Sequence, residues 1–276
     1  SADLRKHVNT LLERNQKKYS LQMKQLKDSE KREKYKVYGE LINAFGYGLT
    51  PDDKFLEAAN YYDDNKIIKI PIDNTKTPAE NAQKYFDKYG KMKRTAEALN
   101  ELILETKGQI DHLESIQNSL DIALSADDLV QIKDELEYGF IKKGKGSKKQ
   151  KVKSKPFHYI SSDGFDMYVG KNNYQNDELT FKLATGNDWW FHAKGMPGSH
   201  VIVKAENKEL PDSTFEEAGK LAGYYSKGKN ADKVEIDYLQ KKNVKKPNGA
   251  AAGFVVYYTN YSLTIHPDIS DIRQIE

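Results

Sequence analysis

Both tryptophans of the chain and two of its six histidines fall within thirteen residues, Asp188 to His200 (DWWFHAKGMPGSH). Three chemistries could use this stretch. His192 and His200 lie eight apart across a Met196-Pro197-Gly198-Ser199 turn, a spacing that could bring two imidazoles to one metal. No third ligand accompanies them, so no metal and no other cofactor is expected. Ser199 beside His200 pairs a hydroxyl with a base. Neighbouring strand residues point to opposite faces, however, and no third group is placed to orient the base, so catalysis there is not expected. The chain has no GxxxxGK[ST] loop and no HExxH motif, and the absence of cysteine excludes thiolate chemistry, disulfides and cysteine zinc sites. A binding module is the better reading, not an enzyme.

The residue types that favour binding are lysines and aromatics. Lys194, His200, Lys204, Lys227, Lys229, Lys241, Lys242, Lys245 and Lys246 are expected on turns or strand ends, interleaved with Trp189, Trp190, Tyr224, Tyr225 and Tyr238. Lysines meet phosphates while rings stack on unpaired bases. The candidate RNA-contacting set is His192, Lys194, Gly198, Ser199, His200, Lys241, Lys242, Lys245 and Lys246. The blander reading makes the tryptophans core and the lysines solvated. Alternation along a strand divides the two: one tryptophan face is expected inside, and the turn from His192 to His200 outside.

The formal charge of +3 is too small to mark a nucleic-acid binder, but its distribution is uneven. Residues 1–36 hold eleven Lys/Arg against five Asp/Glu, residues 95–140 hold eleven acids against two lysines, and eight lysines without an acid lie between Lys142 and Lys155. Such asymmetry describes faces. No run approaches the length of a membrane-spanning helix, and no insertion is expected. Ser1-Ala2-Asp3 opens no signal peptide; the polar helical start without an initiator methionine reads as part of a longer chain.

The elements that must position the site follow from periodicity. Apolar residues recur at helical spacing from Leu4 to about Phe45, narrowing over the charged stretch Asp28–Lys36, and Gly46, Gly48 and Thr50-Pro51 supply a stop. Ala58–Tyr62 and Lys66–Ile70 are expected as strands around an Asp63-Asp64-Asn65 turn. Thr77-Pro78 caps the next helix, Ala79–Leu124. Taking Ala82 as heptad position a, eleven of thirteen a/d positions through Leu124 are apolar. The basic residues 1–36 complement the acidic stretch Thr95–Leu124, which predicts an antiparallel coiled-coil stalk with a small β-containing tip at about 46–78. Its seam could also support self-association.

Asp127–Tyr138 is a further helix with Ser125 as N-cap, and residues 141–156, including KKGKGSKKQKVKSKP, read as a linker. The remainder, 157–276, is expected to be a compact α+β domain, giving an α+β chain overall. Its strands are Phe157–Ile160, Asp166–Val169, Trp189–His192, His200–Val203, Val234–Leu239, Phe254–Tyr258 and Leu263–Ile265. Its helices are Gln175–Ala184 and Thr214–Ser226, the latter capped by Ser213 or Thr214.

Three segments carry a family resemblance: IPIDNTKTPAENAQKYFDKYGKMKR (70–94), SSDGFDMYVGKNNYQNDELTFKLATGNDWWFHAKGMPGSHVIVK (161–204) and VEIDYLQKKNVKKPNGAAAGFVVYYTNYSLTIHPD (234–268). The chain resembles the NFACT family, also called fibronectin-binding-protein-A-like proteins, which includes bacterial RqcH and eukaryotic NEMF. The first segment is similar to the family's coiled-coil middle, the other two to the start and end of the NFACT-R domain. The resemblance implies the C-terminal half of a ribosome-associated quality control factor, without the NFACT-N domain and helix-hairpin-helix region that open full-length members. It implies binding to tRNA and the large ribosomal subunit (rRNA), in support of C-terminal alanine tailing of stalled nascent chains, and a cytoplasmic, ribosome-associated location. The Asp-Arg motif of tRNA engagement belongs to the N-terminal domain, so this chain alone is not expected to support tailing. The family's other association, a fibronectin-binding adhesin on the surface of Gram-positive bacteria, is the alternative. Under the first reading, glutamate at Lys194, Lys241, Lys242, Lys245 and Lys246 is expected to abolish RNA binding without unfolding the chain.

Overall fold

The computed structural model describes residues 1–141 and 154–276; the expected lysine-rich linker lies, from 142 to 153, outside the described residues. The chain forms two compact units, residues 14–109 on one hand and residues 1–13 with 110–276 on the other.

Residues 14–109 contain most of helix α1 (Ala2–Ser29), helix α2 (Arg32–Phe45), a hairpin of β1 (Phe55–Asn60) and β2 (Lys66–Pro71), and the first part of α3 (Pro78–Ile122). The expected helix from Leu4 to Phe45 is thus broken at Glu30–Lys31. There the Ser29 hydroxyl donates back to the Leu26 carbonyl (2.6 Å) and Arg32 Nη1 donates to the Ser29 carbonyl (3.0 Å), side-chain bonds that compete with the helical ladder. No apolar stripe crosses this charged stretch to hold the helix against the competition. The β1 strand begins and ends earlier than expected, because Asn60 starts the turn: its side-chain oxygen accepts from the Tyr62 amide (3.0 Å) and its carbonyl from Asp63 and Asn65. Asp64 and Asn65 take left-handed φ of 47° and 56°, which their short polar side chains tolerate.

Leu41, Ile42, Leu56, Ala58, Ile70 and Ala82 form the buried core of this unit. The pairing of α2 with α3 is antiparallel: Tyr35 stacks on Tyr85 (6.0 Å) and Lys36 lies over Tyr89 (5.8 Å). The helices approach closely at Gly39, where an added Cβ would stand 2.7 Å from the Phe86 ring. Along α3, every expected seam residue from Ala82 to Leu120 is buried or half-buried. Between Lys93 and Gly108 all residues except Ala96, Leu99, Ile103 and Thr106 are exposed. Leu124 lies beyond the helix and is exposed.

In the other unit, Arg5 pairs with Asp121 (2.7 Å) and Gln117 donates to Asn9 (2.7 Å), so the first turns of α1 also run antiparallel to the last turns of α3. Helix α4 (Ala126–Leu136) follows, with Ser125 as N-cap in a capping box with Asp128, as the Ser-x-x-Asp spacing predicts. A seven-stranded antiparallel sheet then forms from β3 (Phe157–Ile160), β4 (Asp166–Val169), β5 (Trp189–Ala193), β6 (Val201–Val203), β7 (Val234–Gln240), β8 (Tyr261–Ile265) and β9 (Arg273–Ile275), in the order β8-β7-β5-β6-β4-β3-β9. The edge strand β9 was not expected. It carries no β-branched or aromatic run, and it pairs with β3 through Tyr159↔Gln274. Helix α5 (Asn173–Glu178), continued by a wider turn Leu179–Leu183, stands before β5, and α6 (Asp212–Tyr224) follows β6.

Two expectations are corrected here. The α6 cap is Pro211, without a side-chain bond; the Ser213 and Thr214 hydroxyls both donate to Asp163 instead (2.5 and 2.7 Å). Phe254–Tyr258 is not a sheet strand. It meets Val244–Lys246 in a short ribbon held by a single isolated bridge, the reciprocal backbone bonds of Lys245 and Val256 (both 2.9 Å).

Candidate nucleic-acid interface

The stretch from Asp188 to His200 occupies β5, an interior strand of the sheet between β7 and β6, and the turn after it. Alternation along β5 sends its two tryptophans to opposite faces. Trp190, 1% exposed, enters a cluster with Leu179, Ala184, Ile202, Leu239 and Val244. Trp189 packs on the other face against Phe215 of α6 (4.9 Å) and Tyr238 (5.9 Å). Both tryptophans therefore pack within the domain, one more deeply than the other.

The start of the stretch is held by charge. Asp188, 2% exposed, accepts from Lys204 Nζ (2.6 Å), the Thr185 amide (2.7 Å) and the Ala205 amide (2.9 Å). Burial works against its ionisation, but these donors outweigh it and hold the carboxyl below the usual aspartate range. The backbone there also carries the next lysines: Lys241 N donates to Asp188 O (2.8 Å) and Lys242 N to Gly186 O (3.1 Å).

The far end of the stretch is more enclosed than expected. Ser199 and His200 are each 2% exposed, and Gly198 and His192 are half-buried. His200 Nε2 lies 3.1 Å from the Gly253 carbonyl, which can only accept; the neutral ring therefore carries its proton on Nε2 and accepts at Nδ1 from the Thr180 hydroxyl (2.8 Å). Both nitrogens are thus engaged, and neither is presented outward. Among the described residues no group of three or more His, Asp or Glu is placed to hold a metal ion.

Burial, with His192 nearby, holds the His200 pKa well below the ordinary 6.5, and burial lowers that of His192 too. Both are neutral in the fold, whereas in the unfolded chain each takes up a proton as pH falls through about 6.5. Their contribution to stability is therefore complete above pH 6.5 and is lost progressively below it, down to the folded-state pKa values. Urea unfolding at pH 7.5 and 5.5 is expected to show a smaller acid-side loss for His200→Gln than for the unsubstituted chain. Equal losses would place the titrating groups elsewhere.

The candidate lysines divide into two sets. Lys194 lies past one end of β5 and pairs with Glu235 (3.3 Å). Lys241 to Lys246 follow β7 at its other end, about 20 Å away by strand length. Within the second set Lys246 is a structural ion: it donates to both oxygens of Asp177 (3.1 and 3.0 Å) and to the Ala251 carbonyl (2.6 Å). Lys241 is half-buried over Phe181. Lys242 and Lys245 are exposed and make no ion pair among the described residues. A glutamate at position 246 would face Asp177, so the five-lysine variant is corrected to one that keeps Lys246.

The aromatic partners also change. Tyr225 is buried, its hydroxyl bonded to that of Tyr159, and Tyr224 carries Lys229 on its ring (4.2 Å). The exposed rings of the domain are instead Phe254, Tyr258 and Tyr261. Alternation within 254–258 was readable; that it would run across the sheet face rather than within the sheet was not.

Residues 1–155 match the family model for NFACT N-terminal and middle domains, and residues 155–258 match that for the NFACT protein RNA binding domain. The chain belongs to the NFACT family. It is similar to proteins called Rqc2 homolog RqcH: 37% identical to that of Bacillus subtilis (strain 168) over 99% of this chain and 48% of the relative, and 37% identical to that of Streptococcus pneumoniae serotype 2 over 100% and 50%. The chain thus spans about half the length of these relatives. Among solved structures it is similar to the C-terminal part of the fibronectin/fibrinogen-binding protein of Streptococcus suis, with a TM-score of 0.77, 34% identity and coverage of 99% of this chain and 97% of that one. The α+β architecture agrees with this structure. No helix among the described residues is long and apolar enough to cross a membrane.

Proposed function

We propose that this NFACT chain acts in ribosome-associated quality control as a binding part rather than a catalyst, engaging tRNA and the large ribosomal subunit in support of alanine tailing of stalled nascent chains. The match of residues 155–258 to an RNA binding domain carries the reading. The relatives called RqcH support the process, and Lys242 and Lys245, exposed and without an ion pair among the described residues, supply phosphate contacts. The long α3 seam and its antiparallel partners serve as a coiled-coil arm that gives reach, in a cytoplasmic, ribosome-associated protein. Co-sedimentation with large subunits across a salt series tests this. The unsubstituted chain is expected to pellet in a salt-sensitive manner, and Lys242→Glu with Lys245→Glu to lose most of that binding while unfolding normally. Indifference to both salt and substitution would remove the assignment.

A second reading comes from the Streptococcus suis relative, named for binding fibronectin and fibrinogen. It makes the chain part of a surface adhesin. It predicts saturable binding to immobilised fibronectin that persists at moderate salt; reduction to background after nuclease treatment would end it.

A further inference from the structure

The ribbon of Val244–Lys246 and Gly253–Tyr258 lies over the face of the sheet that holds Trp190, and its two sides differ. Val255 and Tyr257 turn inward to the Trp190 cluster; the Tyr257 ring lies 5.2 Å from Trp190 and its hydroxyl donates to Asp237 (2.7 Å). The residues flanking them turn outward: Phe254 is 57% exposed and Tyr258 90%. Lys245, bridged to Val256, stands between them and is exposed, with Lys242 close by in the chain. From Lys241 to Asn260 the chain carries four lysines and no acid.

We infer that this outward side of the ribbon is a platform for unpaired RNA, with Phe254 and Tyr258 stacking on bases and Lys242 and Lys245 meeting the phosphates. The inference deepens the RNA-binding reading above and rests on it. Single exposed rings are ordinary on protein surfaces. Two rings either side of an exposed lysine whose ammonium meets the Lys242 carbonyl (2.9 Å) but no carboxylate among the described residues, on a backbone tied down from below, are a different case. The ties are the Gly253 amide to Asp177 (2.8 Å), His200 Nε2 to the Gly253 carbonyl, and Lys246 to Asp177 and the Ala251 carbonyl. Gly253 is suited to this role: its φ is +80°, and a Cβ would stand 2.5 Å from Asn173 Oδ1. The backbone that carries Phe254 therefore needs little ordering when a ligand arrives.

Charge selects the occupant. An exposed lysine pair without a neighbouring acid in the segment favours a polyanion, and rings stack on a base whose face is open. In a duplex the base faces are covered by their neighbours, and an A-form helix offers a protein mainly its shape, phosphates and 2′-hydroxyls. Phe254 and Tyr258 lie four residues apart on either side of the bridged Val256, so each ring is offered its own base and the ligand is a strand unpaired over more than one nucleotide.

The test uses the full chain with two labelled probes, a single-stranded oligouridylate of about twelve nucleotides, long enough for one such site, and an RNA duplex of the same length, each titrated across a salt series. Phe254→Ser with Tyr258→Ser is expected to weaken single-strand binding by roughly tenfold or more at every salt concentration, because stacking is lost and no charge is removed. Lys242→Gln with Lys245→Gln is expected to flatten the salt dependence, by about 0.7 in log–log slope per contact. Phe254→Leu with Tyr258→Leu keeps the apolar bulk without a planar ring, so a loss shared by both ring variants, with unchanged melting, is specific to stacking. Single-strand binding within twofold of the unsubstituted chain in both ring variants, or duplex bound as well as single strand, overturns the platform. If the oligouridylate responds as expected while large subunits fail to co-sediment, the platform stands and the ribosomal reading falls. If neither probe binds while large subunits co-sediment, the platform falls and the ribosomal reading stands.

Discussion

Asp188→Ala is expected to lower the free energy of unfolding by about 3–5 kcal/mol, the cost of breaking a buried ion pair from one side. The carboxylate accepts from Lys204 Nζ and from the Thr185 and Ala205 amides, and its removal leaves two backbone donors without their acceptor and the ammonium with the Leu183 carbonyl (3.0 Å) but no counter-charge. Lys204 is itself mostly covered, so water does not screen the loss. The change should also reach the RNA-binding side, since Lys241 and Lys242 are hung by their amides on Asp188 and Gly186. Urea unfolding of Asp188→Ala and Asp188→Asn decides it. The asparagine keeps one acceptor but adds a donor opposite Lys204, so it should fall between alanine and the unsubstituted chain. A loss below about 1 kcal/mol for alanine would mean that the pair contributes no more than a surface salt bridge.

The second large effect belongs to Trp190. It is among the largest fully buried side chains, it touches the ribbon through Tyr257, and it packs edge-on to His200 (5.1 Å). Trp190→Ala is expected to cost about 3–5 kcal/mol through lost burial and the cavity left behind. Trp190→Phe should cost clearly less, for a reason beyond volume. The indole Nε1 is buried without a hydrogen-bond partner among the described residues, and phenylalanine removes that unsatisfied donor. The two variants also separate stability from binding: with its floor emptied, the ribbon should lose RNA affinity in Trp190→Ala and largely keep it in Trp190→Phe. Chemical denaturation alongside the oligouridylate titration measures both. Equal destabilisation by the two substitutions would show that the indole N–H has a role its surroundings do not reveal.

Much of this fold was legible because its signals are local. The period-two runs around Ser161-Ser162-Asp163-Gly164 correspond to β3 and β4 residue for residue, since a four-residue turn leaves the register little freedom. The long helix α3 and the Ser125 cap were readable for the same reason, as spacing within one segment determines both. Where competition decided the outcome, the reading failed. Nothing in the spacing from Leu4 to Phe45 announces that the Ser29 hydroxyl and Arg32 will interrupt the helix. Ser213 and Thr214 look like caps until Asp163, fifty residues away, claims their hydroxyls.

The candidate interface shows the same division at the level of single charges. Composition and alternation alone established that the lysines of this domain are interleaved with Trp189, Trp190, Tyr224, Tyr225 and Tyr238, and that the two tryptophans must part to opposite faces. Which lysine is free to meet a phosphate depended on partners far along the chain: Asp177 for Lys246, Asp188 for Lys204, Glu235 for Lys194. Which rings face outward depended on where Gly253 turns the chain back across the sheet. An ion pair or a buried ring is a property of two segments at once, and only tertiary structure brings the second segment to the first.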